Sequence, residues 1–254
     1  MRIPDVVLLL GAGLSAGAVN AVAGGGSLIT FPALLATGLP PIAANVTNAL
    51  AVSPGYLASV AGSRKDLDGQ GRRAARLIPA AVVGALAGSG LLLVTPARAF
   101  ELVVPFLVLT ATGLLAFQPW IQKRIGHPRQ RSPRAQNVAT QALTGIGAVY
   151  GGYFGGALGV ILVAVLVLVI DEKLQRISAL KNVLSAAVGV TTVVVFSLLG
   201  PVSWVSVAVL APATVTGGYA GATLVRRLPA QVLRGVIVAF GTVVGAVLLV
   251  RAVT

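Results

Sequence analysis

From Val6 to Ser63 the chain runs for 58 residues without a single charged side chain. That is far longer than the roughly 20 apolar residues that cross a bilayer once. It is also broken twice, by Gly24-Gly25-Gly26-Ser27 and by Gly38-Leu39-Pro40-Pro41. Consecutive glycines depress helix propensity, and proline removes a backbone donor and restricts the residue before it. A break at membrane depth exposes backbone groups that lipid cannot satisfy, so it must be enclosed by protein or line a water- or ligand-filled cavity.

The remainder of the chain repeats this character. Uncharged runs cover Leu77–Ala97, Leu102–Gln122, Ala135–Ile170, Asn182–Val225 and Gly235–Val250, and 56% of all residues are hydrophobic against 10% charged. The pattern predicts an all-α, polytopic membrane protein. The net charge of +13 sits in short segments between apolar runs, as expected of cytoplasmic loops, which argues against nucleic acid as the partner. An Arg2, apolar stretch and Ala21-Val22-Ala23 imitate a secretory signal. The many spans that follow, and a partner segment later in the chain, favour a retained first helix.

Read in order, the helices expected are Val6–Ala23, Ser27–Thr37, Ile42–Gly62, Leu77–Val94 and Leu102–Gln118, with a charged loop Arg64–Arg76. A basic linker, Trp120–Gln136, divides the chain. Helices Asn137–Tyr150 and Ala157–Ile170 then flank a second glycine-rich break, Gly151-Gly152-Tyr153-Phe154-Gly155-Gly156. A span ending at Gly200-Pro201, another over Trp204–Val225, the basic segment Arg226–Arg234 and a last span to Val250 complete the chain.

The halves look like repeats. Glycine placement in Gly13–Gly26 and Gly145–Gly156, the pair Asn48-Ala49-Leu50 and Asn182-Val183-Leu184, and the prolines Pro96 and Pro229 correspond in order at offsets of 130 to 134 residues. Equivalent loops differ in charge. Arg64–Arg76 is basic where the counterpart near Gly200-Pro201 is neutral, and Thr95–Glu101 is nearly balanced where Arg226–Arg234 is basic. Equivalent loops therefore fall on opposite sides of the membrane, as in an inverted repeat with an odd number of elements per half. Each half is expected to be a glycine-broken helical hairpin plus three spans: a first repeat over 1–118, a cytoplasmic linker over 119–136 and a second repeat over 137–254. Both termini then face outward.

A helix N-terminus carries unpaired N–H groups and partial positive charge. Gly24, Gly25, Gly26 and Ser27 before one helix, and Gly155 and Gly156 before another, therefore suit an anion-binding cradle. The competing reading is close helix packing through small residues, which better fits Gly11, Gly13 and Gly17. Asn20, Asn48 and Asn182 are hydrogen-bonding groups in apolar surroundings, either site residues or interhelical ties, and Tyr150 and Tyr153 flank the second break. Asn45 reads as a cap. Lys181 is a cation for an anionic substrate or a snorkelling side chain, and Trp120 and Trp204 are interface anchors.

Catalytic and metal-binding constellations are not expected. No carboxylate lies well inside an apolar run, there is one histidine (His127), cysteine is absent, and no phosphate loop ending in Gly-Lys-Ser/Thr occurs. No cofactor is implied, and a cation route should show acidic rings that this sequence lacks.

Asn20–Pro32 with Gly38-Leu39-Pro40-Pro41, and Tyr150–Gly156 followed by Leu180-Lys181-Asn182, resemble the two motifs of the sulfite exporter TauE/SafE family of bacterial membrane permeases. The resemblance covers essentially the whole chain, although the second break has two glycine pairs where many members have a third consecutive glycine. It implies a duplicated helical permease in the bacterial plasma membrane, moving small, mostly sulfur-containing or carboxylate anions outward in some members and inward in others. The expected function is transport or facilitated passage of sulfite or a related oxyanion. The alternatives are an importer of small carboxylates or other organic anions and a cation or metabolite channel. The expected partners are a small anion and the lipid bilayer, with a homo-oligomer left open.

Overall fold

A computed structural model describes residues 2–22, 25–124, 133–224 and 230–253. Gly24, residues 125–132 of the central linker and the segment 225–229 lie outside the described residues. Ten α-helices and a single 3-10 turn, Arg64–Leu67, make up the described secondary structure. The first half holds α1 (Ile3–Val22), α2 (Ser27–Ala36), α3 (Pro41–Gly62), α4 (Gly71–Val94) and α5 (Ala97–Arg124). The second holds α6 (Pro133–Tyr153), α7 (Leu158–Val169), α8 (Leu174–Leu199), α9 (Trp204–Leu224) and α10 (Ala230–Val253).

Local chemistry sets several of these ends. Gly38 takes a left-handed φ of 88° and closes α2, and Pro41 opens α3, where its missing N–H has no helical partner to lose. The structure differs from the sequence reading at other ends. The charged loop is shorter, because Arg72, Arg73 and Arg76 already belong to α4. Helix α5 runs past residue 118 to Arg124, and α6 starts before residue 136, at Pro133. Gly151 and Gly152 are helical, so the second break is confined to 154–157. Solvent-facing arginines and close helix contacts support helix there where composition alone suggests loop.

Among the described residues four helices are long and apolar enough to cross a membrane by themselves: Ile3–Asn20, Gly71–Val94, Ala97–Phe117 and Gln175–Leu199. At about 1.5 Å per residue, α2 and α7 reach only about 15–18 Å, half of a hydrocarbon core of about 30 Å. Each folds back on its predecessor. Gly147 faces Leu162 and Ile161, and Gly151 faces Leu158, so α6 and α7 are antiparallel. Gly26 sits against the Ala16 carbonyl and Asn20 in α1.

The packing is pseudo-symmetric and inverted. Helix α1 packs on α9, and its repeat mate α6 packs on α4, the mate of α9. Both contacts are parallel and run through glycines. A Cβ on Gly17 would strike the Thr214 carbonyl and one on Gly217 the Leu14 carbonyl; Gly84 and Gly88 oppose the carbonyls of Gly145 and Val149 in the same way. Small residues let helix axes approach this closely in a membrane. Gly11 differs from its expected packing role, since a Cβ there would meet nothing within 4 Å.

The mates α3 and α8 cross antiparallel at the centre, with Gly200 beside Val46, Gly189 beside Ser53 and Asn182 beside Ser59. Helix α3 runs parallel to α9, through the Thr47–Ser203 and Thr214–Ala51 hydrogen bonds. Helices α4, α6 and α8 begin together around Arg73, Gln136 and Arg176. Hence α1 points toward the face from which α6 departs, and the halves are inverted copies. The α4–α6–α8 face carries Arg64, Lys65, Arg72, Arg73, Arg76 and Arg176. On the opposite face Arg2 pairs with Asp5 and Arg98 with Glu101. Apolar side chains such as Val83, Ile146 and Leu198 cover the outside, as lipid contact requires.

Candidate functional site

The two hairpin tips meet at the centre of the bundle. Phe31 of α2 stands edge-on to Phe154 of the second break at 5.3 Å, and Tyr150 packs on Phe154 in turn. Beside this clasp lies a cavity of about 20 Å³ lined by Ser27, Asn48, Ser53, Tyr56, Gly155, Gly189 and Thr192 among others. It draws on α2, α3, the second break and α8. No carboxylate lines it. At that volume it has room for about one water molecule and not for a polyatomic anion.

Asn48 is oriented by its neighbour. Its Oδ1 accepts the Thr30 hydroxyl, and both residues are buried. With the carbonyl side of the amide engaged, the Nδ2 group supplies the two donors of Asn48. Ser27 and Tyr56 both line the cavity. Ser53 and Thr192 return their hydroxyls to helix carbonyls, Ala49 and Gly189.

The backbone around both breaks is largely self-satisfied. The Gly26 N–H donates to Asn20 Oδ1 at 2.8 Å. The N–H groups of Leu28, Ile29 and Thr30 turn back on Gly25 and Gly26, and those of Phe154 and Gly155 on Tyr150. Gly155 has a left-handed φ of 72° that a side chain would strain, and a Cβ on Gly156 would strike the Phe154 ring. Gly25 is less restrictive, because a Cβ there meets Leu115 at an ordinary 3.5 Å.

Of the residues expected at a site, Ser27, Asn48 and Gly155 meet at the cavity. Asn20 and Gly26 shape the first break beside it, and Gly25 and Gly156 lie in the two breaks. Tyr150 is directed at the Leu107 carbonyl of α5. Asn182 lies elsewhere, tying α8 to the end of α3 through Ser59 and Ser63. Gly24 is outside the described residues. Asn45 does not cap α3, whose N-cap is Pro40; it donates to the carbonyl of Tyr153, the last residue of α6. Thr30 and Thr192 were not apparent from sequence. The signal for Thr30 is a polar side chain one turn into a buried half-helix, opposite an asparagine.

Two larger cavities of about 310 Å³ each open at the faces. That on the basic face is lined by Arg72, Arg73, Arg76 and Arg176, with Glu172 held by Arg73 at 3.4 Å and Arg176 at 3.1 Å. Among the described residues no group of histidine, aspartate or glutamate could hold a metal ion.

The family described as Sulfite exporter TauE/SafE matches residues 9–248. A "Probable membrane transporter protein" of Haemophilus influenzae is 25% identical over 240 residues, covering 92% of this chain and 90% of the relative. The "Probable membrane transporter protein YfcA" of Escherichia coli K12 is 28% identical over 235 residues, covering 92% and 86%. No solved structure matches significantly.

Proposed function

Because the chain belongs to the sulfite exporter TauE/SafE family and is a multi-pass membrane transporter, we propose that it moves sulfite or a related organosulfur oxyanion across the bacterial plasma membrane as a secondary transporter or facilitator. The observation that carries this reading is the convergence of two half-helix hairpins on one central cavity without carboxylates, with Asn48 held donor-side free by Thr30. Broken helices at midplane are the usual place for a transported ion. At about 20 Å³ the cavity is too small for the anion, so the hairpins must separate to admit it.

The positive-inside rule puts the arginine-bearing face in the cytoplasm. On this reading 1–118 and 137–254 are the two repeats, and 119–136 joins them on that side. The bilayer covers the outer apolar surface. An importer of small carboxylates would use the same donors, whereas a cation channel would need acidic groups at the cavity.

Each negative charge moving outward gains about 2.3 kcal/mol per 100 mV of inside-negative potential. Proteoliposomes loaded with sulfite and given a potassium-diffusion potential should release it faster as the interior becomes more negative. Efflux independent of potential would refute electrogenic export, and no flux of sulfite, thiosulfate, sulfonates or carboxylates would refute the function.

A further inference from the structure

Lys181 is the buried charge that neither face explains. It sits in α8 at 6% exposure. No hydrogen bond or ion pair holds it among the described residues. An ionised side chain inside a membrane protein ordinarily has a partner, because the unpaired charge is costly to bury.

Among the described residues no carboxylate on the elements packed around α8 pairs with Lys181; Asp66 of the 3-10 turn, which packs on α8, is exposed at the charged face. Just ahead of α8, Glu172 is engaged by Arg73 and Arg176. From α3 the nearby polar groups are Tyr56 and the neutral Ser59 and Ser63, the last two bonded to Asn182. From α4 and α7 the buried contacts are apolar, including Leu77, Ala81, Leu162 and Leu166.

One turn beyond Lys181, the Ser185 hydroxyl is buried without any partner. Gly189 and Thr192 follow along the same side of α8 and line the central cavity. Positions i, i+4, i+8 and i+11 share a helix side, and eight residues rise about 12 Å. Helical side chains lean toward the N-terminus. The Lys181 ammonium is thus carried below Ser185 toward the arginine-bearing face.

We infer that Lys181 and Ser185 form a second station for a small oxyanion, between the central cavity and the basic face. The inference rests on the anion-transport reading. The ammonium would donate charge-assisted hydrogen bonds to the anion and Ser185 a neutral one, meeting the needs of both orphaned groups. The anion passing toward or from the cytoplasm would rest here, while one approaching from the opposite face would reach the cavity first.

Two measurements test this with sulfite as the probe. In right-side-out and inside-out vesicles, Lys181→Met should raise the KM measured from the basic face by about tenfold, the scale of a lost charged hydrogen bond, and leave the KM from the other face within about twofold. Lys181→Arg should restore most of the affinity, and Ser185→Ala should shift it in the same direction by less. In detergent without anion, Lys181→Met should melt higher than wild type, because an unpaired charge is removed, and should lose the stabilisation that sulfite confers. A KM unchanged or raised equally from both faces, or an anion-free melting point that falls, would overturn the station and leave the transport reading intact. Wild-type vesicles that move no oxyanion would remove both.

Discussion

Replacing Thr30 by valine tests whether Asn48 works as an oriented donor. The side chain keeps its branching but loses the hydroxyl that holds Asn48 Oδ1. Thr30 is fully buried and Asn48 is 2% exposed, so bulk water does not reach the place of the lost hydroxyl. A buried acceptor left unsatisfied costs about 1–3 kcal/mol in soluble proteins, but interhelical hydrogen bonds in membranes average only about 0.6 kcal/mol. The freed amide can also rotate, turning its oxygen toward the cavity. A net loss of about 0.6–1.4 kcal/mol in anion binding corresponds to a rise in KM of roughly three- to tenfold. Because ground and transition states lose the interaction alike, the maximal flux should change less. Thr30→Ser should restore the wild-type KM. In a double-mutant cycle Thr30→Val and Asn48→Leu should be strongly non-additive, since the first acts through the second. An unchanged KM in Thr30→Val, or additive losses, would refute the orientation argument.

At the second break, Ala157 is held at a left-handed φ of 57° and Gly155 at 72°. Thermal unfolding in detergent should therefore show Ala157→Gly gaining and Gly155→Ala losing about 1 kcal/mol each. Gly17→Ala and Gly88→Ala force a Cβ into a partner backbone on pseudo-symmetric interfaces. Each should lose about 1–3 kcal/mol, while Gly90→Ala, with nothing within 4 Å, should be neutral or better. For orientation, an impermeant thiol reagent added to intact cells should label Pro201→Cys and spare Lys65→Cys, and the opposite result would reverse the assignment.

The inverted repeat could be read from the chain because charge marks the membrane faces and because Gly24–Gly26 and Gly155–Gly156 interrupt otherwise apolar runs at matching places. Helix ends were harder. Arg72, Arg73 and Arg76 look like loop residues by charge, yet arginine is a good helix former and these extend α4 into the aqueous margin. The matched asparagines show a different limit. Repeat register pairs Asn48 with Asn182, but an inverted copy turns one toward the cavity and the other toward the end of α3. What a small polar group bonds to depends on which helix lies across from it, and α3 carries several such groups whose partners lie more than a hundred residues away. Lys181 posed the same problem, because its lack of a partner is a property of its neighbours.

The two parallel glycine contacts are equivalent in space but unequal in time. Gly84 meets a carbonyl 61 residues further along the chain, at Gly145, whereas Leu14 meets Gly217 after 203 residues. At a synthesis rate of about 5–20 residues per second, α4 waits roughly 3–12 seconds for its partner and α1 roughly 10–40 seconds. During that interval the small-residue face of α1 lacks α9 to lie on, so a helix made early is seated late.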